Sequence, residues 1–188
     1  MCLVEIVSRD NRSWFVLRVT YQRELIAKTK LDELNIENFV PIQKVRVKGK
    51  SGRLTWVTKV LLHNYIYVYT VKSQIEIQKR GELPFLRYVM YNDENGLRKI
   101  QTVPERQMKN FIAIAGTEDE RVMFLNPEEV DLSKGDKVRV LGGPFEGVEG
   151  HFMRVINGKR EKRVVVKITG VAAIATASLP VSLVEKID

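Results

Sequence analysis

The sequence predicts an α+β protein, a mostly antiparallel sheet flanked by helices and followed by a smaller all-β unit. Three observations predict it. Over residues 1–117 the apolar pattern alternates between strand and helix periods, in the order strand, helix, hairpin, strand, short helix, hairpin, helix. Residues 118–133 are acidic and read as a connector. From Lys134 to Ile168 a half-buried strand, a loop crowded with Gly and Pro and the hairpin signal Asn157-Gly158 between two strands follow one another. The predicted organisation is therefore a domain over 1–117, a linker over 118–133 and a domain over 134–188, folding separately.

Ser13 to Thr20 contains Trp14, Phe15, Val16, Leu17 and Val19 in a nearly continuous apolar run, as in a central strand covered on both faces. Thr20 is placed to cap a helix over Tyr21 to Leu34, whose core stripe is Ala27, Leu31 and Leu34, with Asn35 as its left-handed stop. Lys44, Arg46, Lys48 and Lys50 fall at alternate positions, so a strand places them on one face; Gly49 to Gly52 turns, and Arg53 to Leu62 returns. No acidic residue lies between Glu37 and Glu76, so Lys44, Arg46, Lys48, Lys50 and Arg53 are candidate nucleic-acid contacts, the alternative being a solvated edge. Tyr65 to Val71 alternates tyrosines with aliphatic residues, and Ser73 with Glu76 has capping-box spacing before a short helix ended by Gly81. Phe85 to Tyr91 and Leu97 to Thr102 read as strands joined by Asn92 to Gly96. Pro104 then opens a helix with Met108, Phe111, Ile112 and Ala115 as its buried stripe.

In the connector, Val122 to Leu125 is an apolar patch able to dock on either domain. Lys137 to Val140 alternates as a half-buried strand. Gly142, Gly143, Pro144, Gly147 and Gly150 crowd the next loop, turning the backbone tightly around Phe145. His151 to Ile156, the hairpin signal Asn157-Gly158 and Arg163 to Ile168 follow, and Ala172 to Ala177 and Val181 to Ile187 complete the unit.

The net charge is +8, unevenly spread. Residues 1–117 carry 20 Lys and Arg against 11 Asp and Glu, 118–133 carry 1 against 6, and 134–188 carry 10 against 6, so two basic units flank an acidic connector. That balance favours a polyanionic partner. Cys2, the single cysteine, rules out an internal disulfide and is expected to be inert. No membrane-length apolar run or signal-peptide order is present, so a cytoplasmic, monomeric protein is expected. His63 and His151 are far apart and lack metal-ligand neighbours, and the glycine loop lacks the Lys-Ser/Thr of a phosphate cradle. No catalytic set assembles; no cofactor and no enzymatic activity are expected.

The Gly-Pro-Phe-x-Gly-x-x-Gly core at 143–150 resembles the KOW motif of NusG-type transcription factors, which implies a small SH3-like barrel. Trp14 to Arg18, the helix ending before Phe39-Val40-Pro41, and Leu62-His63-Asn64-Tyr65-Ile66-Tyr67-Val68 resemble the NusG amino-terminal (NGN) domain. His63-Asn64 stand where Pro-Gly is common. Domain order and the polar connector around Asn126-Pro127 are similar to the UpxY-type antiterminators of capsular polysaccharide operons.

The resemblance implies an elongation factor or antiterminator that suppresses pausing or termination. Its NGN domain would bind RNA polymerase, with Leu62, Tyr65, Tyr67 and Trp14 as candidate contacts, and the hairpin cations would lie near the transcription bubble. The candidate KOW partner contacts are Phe145, Ile168, Thr169, Gly170 and Val171. Thr169 and Val171 replace the family's aromatic and basic residues, which implies weak binding to Rho and leaves a small-subunit ribosomal protein as a partner. The alternative is a ribosome-associated or RNA-binding KOW protein with no polymerase role.

Overall fold

The computed structural model describes residues 12–187 apart from Ser51, 118–120, Glu129, Gly158, Thr169 and Gly170. Among the site candidates, Thr169 and Gly170 lie outside the described residues, as does Cys2. Cα proximity divides the chain into two units. The first joins the described residues up to Val40 to His63–Glu105, and the second joins Pro41–Leu62 to Arg106–Asp188.

The first unit is a five-stranded antiparallel sheet organised on β1 (Ser13–Val19). One edge of β1 pairs along its length with β5 (Tyr65–Thr70), whose other edge takes β2 (Asn38–Phe39). Its second edge is shared, as the apolar run of β1 requires of a central strand: β6 (Leu86–Tyr88) pairs with Leu17 to Val19, and β9 (Thr102–Val103) with Trp14 and Phe15. Between them β7 (Met90–Asn92) and β8 (Arg98–Ile100) leave the sheet as a separate hairpin. Each of the two strands expected over 85–102 is thus split, one half serving the core and the other the hairpin.

Helix α1 spans Glu24–Glu33 and buries Ala27 and Leu31, but Leu34 is exposed. The predicted start is corrected as well. Tyr21 and Gln22 have φ of 60° and 52°, so a short left-handed kink separates β1 from the helix, and Thr20 makes no cap. Asn35 does stop the helix in the left-handed region, with φ 53°. Helix α2 (Lys72–Arg80) begins without a side-chain cap, so the Ser73–Glu76 box does not form; Glu76 instead pairs with Lys79.

In the second unit, β3 (Ile42–Lys48) and β4 (Leu54–Val60) form a hairpin of their own. Helix α3 (Glu105–Ala115) buries Met108, Phe111, Ile114 and Ala115; Ile114 takes the place expected of Ile112, which is half-buried. The remaining strands are β10 (Met123–Leu125), β11 (Asp136–Val140), β12 (Glu149–Asn157), β13 (Lys159–Ile168), β14 (Ala172–Ala175) and β15 (Val184–Lys186). They form a six-stranded antiparallel sheet in the order β10-β14-β13-β12-β11-β15.

The connector is therefore partly structural. Met123 to Leu125 pair with Ala173 to Ala175, and Val130 joins the core of Val155, Val165, Ala173 and Ala175. Buried Arg163 donates to the Arg121 carbonyl at 2.6 Å and to the Thr176 carbonyl at 2.7 Å, and Lys167 donates to the Val130 carbonyl at 2.7 Å. The acidic stretch thus supplies backbone acceptors to cations of β13, which would be costly to leave unpaired in a partly buried site.

Candidate nucleic-acid and partner interfaces

The β3–β4 hairpin carries the basic candidates. Lys44, Arg46, Lys48, Lys50 and Arg53 are all exposed, and the alternation of β3 turns Lys44, Arg46 and Lys48 to one face. Gly52, with φ 78°, closes the turn in a conformation that side chains rarely adopt. The absence of any Asp or Glu from residue 38 to 75 leaves this cationic face without a nearby acidic neighbour in sequence. The structure adds a residue that the charge pattern did not point to, Trp56, which pairs with Arg46 across the ladder. The Arg46 guanidinium lies 4.6 Å from the centre of its indole ring. An aromatic residue within an alternating basic hairpin was the signal available.

The tyrosines of β5 lie on one face with residues of β1, as the register Trp14↔Tyr69, Val16↔Tyr67 and Arg18↔Tyr65 sets. Trp14 packs 5.4 Å from Tyr69, Phe39 packs 6.5 Å from Tyr67, and Arg18 stands 5.9 Å over the Tyr65 ring. Trp14 is only 4% exposed and Tyr67 fully buried. These two candidates are corrected to core residues: ring packing in the sheet uses their surfaces, and burial holds the Tyr67 hydroxyl in its neutral form, with its pKa raised. Tyr65 is half-buried and Leu62 also keeps exposed surface.

Asn64 takes φ 68°, so it performs the left-handed turn for which glycine is commonest. Glu24, 1% exposed at the start of α1, accepts a hydrogen bond from the Asn64 amide, and its carboxylate lies 3.7 Å from His63 Nδ1. The buried carboxylate therefore fixes the loop entering β5 and the position of Tyr65 just beyond it.

In the second unit, the glycine loop folds around Phe145, which is buried. The Gly147 amide donates to the Val140 carbonyl at 2.9 Å, the Glu146 amide to the Gly143 carbonyl at 3.1 Å, and Gly143 and Gly147 have φ of 82° and 80°. Gly150 is required for a different reason: a Cβ there would meet the Val165 carbonyl oxygen at 2.6 Å and Val164 Cγ1 at 2.8 Å. Ile168 and Val171 are buried too, closed by a Val171 amide to Ile168 carbonyl bond of 3.0 Å. Phe145, Ile168 and Val171 are thus corrected from partner contacts to core residues.

Helix α3 meets the sheet through polar contacts. Glu149 pairs with Arg106, accepts from Arg139 Nη2 at 2.8 Å and Nε at 3.0 Å, and its amide donates to Asn110 Oδ1 at 3.2 Å. Hydrogen bonding from Arg106 first, then Arg139, holds the Glu149 carboxyl below its ordinary pKa. His151 is held below the usual imidazole range by burial and by Lys137.

Among the described residues, no group of three or more His, Cys, Asp or Glu is placed to hold a metal ion, and no helix is long and apolar enough to cross a membrane.

A family model described as NusG, transcription termination factor nusG, matches residues 12–133. No curated protein matches the chain. Among solved structures, one of Thermotoga maritima NusG, determined for its domain interaction, is 21% identical with a TM-score of 0.43 and aligns over 96% of this chain and 100% of its own. A chain of the MjSpt4:Spt5 complex is 16% identical with a TM-score of 0.29, over 93% of this chain and 97% of its own.

Proposed function

The chain belongs to the family of the transcription termination factor NusG, and from that membership we propose that it is a specialised antiterminator acting by binding alone. The observation that supports a NusG-kind transcription factor is the family match over residues 12–133, which spans every element of the aromatic sheet and the basic hairpin. The specialised part of the reading rests on His63-Asn64 in place of Pro-Gly and on Thr169 and Val171 in place of an aromatic and a basic residue. In this reading residues 1–117 are an NGN domain that docks on RNA polymerase, with Tyr65 and Leu62 as the contacts that retain exposed surface. The polymerase is held closed and pausing is suppressed. The hairpin cations lie on nucleic acid near the bubble, and each phosphate neutralised releases counterions.

Residues 134–188 are a KOW domain with the SH3-like barrel of that motif. The positive-φ Gly143 and Gly147, the buried Phe145 and the close approach at Gly150 support it. Its loop carries no basic side chain at the buried Val171, so Rho binding is weak and a small-subunit ribosomal protein is the remaining candidate. A role in capsular polysaccharide operons rests on the likeness to UpxY-type proteins alone.

In transcription with purified core polymerase on a template with a strong pause, adding the chain shortens pause lifetime, and adding Rho restores no termination through it. Unchanged pausing, or Rho-dependent termination enhanced by the chain, overturns the antiterminator reading.

A further inference from the structure

The basic hairpin has a feature that charge does not explain. In an antiparallel ladder, directly opposed residues share a face, so Lys44↔Thr58, Arg46↔Trp56 and Lys48↔Leu54 form one surface. On it Trp56 is 62% exposed and Leu54 59% exposed. Lysines on an edge hairpin serve well enough to block unwanted pairing. An exposed tryptophan does not, because it offers the apolar surface through which proteins associate, and its burial elsewhere would have stabilised the fold. The Arg46 guanidinium stands 4.6 Å over the ring, and the cations Lys44 and Lys48 flank it two residues to either side, about 6.6 Å along the strand.

We propose that this face is a stacking platform for a base of an unpaired nucleic-acid strand, with the Trp56 indole as the platform and Lys44, Arg46 and Lys48 as the groups that meet the flanking phosphates. The inference rests on the reading that the hairpin cations contact nucleic acid, and it specifies which form. An aromatic ring between cations matches the chemistry of a single strand. A base presents its flat π-face only when it is unpaired and unstacked, whereas in a duplex both faces are covered by neighbouring base pairs. Stacking on an indole does not discriminate between bases, so the platform is tolerant of sequence. No carboxylate within residues 38 to 75, the hairpin's own stretch of chain, opposes a phosphate there.

The test uses the full chain and a single-stranded DNA of about 10 nucleotides, compared with the same sequence as a duplex. Affinities of the parent and of each variant are read from the anisotropy of a fluorescein label on the nucleic acid, and in the parent, where Trp14 is buried, tryptophan quenching additionally reports Trp56. Trp56→Ala weakens single-strand binding about 10-fold and leaves the salt dependence and the duplex affinity unchanged, while Trp56→Phe restores most of the loss. Lys44→Ser with Lys48→Ser lowers the slope of affinity against salt for both probes, by roughly 0.7 to 0.9 for each phosphate no longer neutralised.

If Trp56→Ala binds the single strand as tightly as the parent, or loses affinity equally for both probes, the stacking platform is wrong. A lysine variant that still lowers the slope in that case leaves the cationic hairpin standing. A lysine variant with an unchanged slope overturns both.

Discussion

Glycine plays two unlike parts in the loop around Phe145, and substitution separates them. At Gly150 a methyl group would press on the Val165 carbonyl and Val164, so Gly150→Ala forces the β12–β13 ladder apart and costs about 1–3 kcal/mol. At Gly143 nothing lies within 4 Å of an added Cβ, and only the φ of 82° is strained, so Gly143→Ala costs about 1 kcal/mol. Urea unfolding of the two variants should rank them in that order, and equal midpoints would refute the packing explanation.

Glu149 gives a pH-dependent counterpart. Its carboxyl is held below its ordinary pKa of 4.5 in the folded protein, so folding is favoured by its ionisation above that value, and this contribution is lost as pH falls through the lowered one. Glu149→Gln therefore lowers stability at neutral pH and flattens the loss of stability as pH falls below 4.5. A variant with the parent's acid limb would show that the Arg106 and Arg139 contacts carry no charge dependence.

Among elements, those with an unambiguous period were legible in the sequence: β1, β5, the β3–β4 hairpin and the β12–β13 pair lie where alternation or a continuous apolar run put them. What escaped was decided by tertiary contact. Thr20 and Ser73 have the chemistry of caps, but a left-handed kink at Tyr21 and an uncapped start at Lys72 supply other solutions. Trp14 and Tyr67 have the look of a binding surface until the ring packing of the sheet buries them. The connector is acidic, yet its apolar patch Val122 to Leu125, able to dock on one domain or the other, completes a sheet edge through Met123 to Leu125, a choice of partner that composition does not specify.

That last point is testable by truncation. A fragment 118–188 keeps β10 and Val130 against the core of Val155, Val165, Ala173 and Ala175. A fragment 134–188 uncovers that core and leaves Arg163 and Lys167 without the Arg121 and Val130 carbonyls. The shorter fragment should be less stable by a few kcal/mol and so unfold at a lower urea concentration. Identical midpoints would return residues 118–133 to the role of a passive linker.

For the whole molecule, the proposed binding role draws on three parts, an aromatic sheet, a basic hairpin and a second sheet built around a glycine loop. Through order and charge the sequence favours a polyanionic setting, since two basic units flank an acidic stretch. It did not convey which aromatic residues remain available, because burial is a property of the assembled sheet. The proposed function stands or falls on whether the chain engages RNA polymerase, and affinity capture of the tagged full chain from cells decides that. Core RNA polymerase should be recovered, and less of it with Tyr65→Ala; ribosomes recovered without polymerase subunits would refute the polymerase reading.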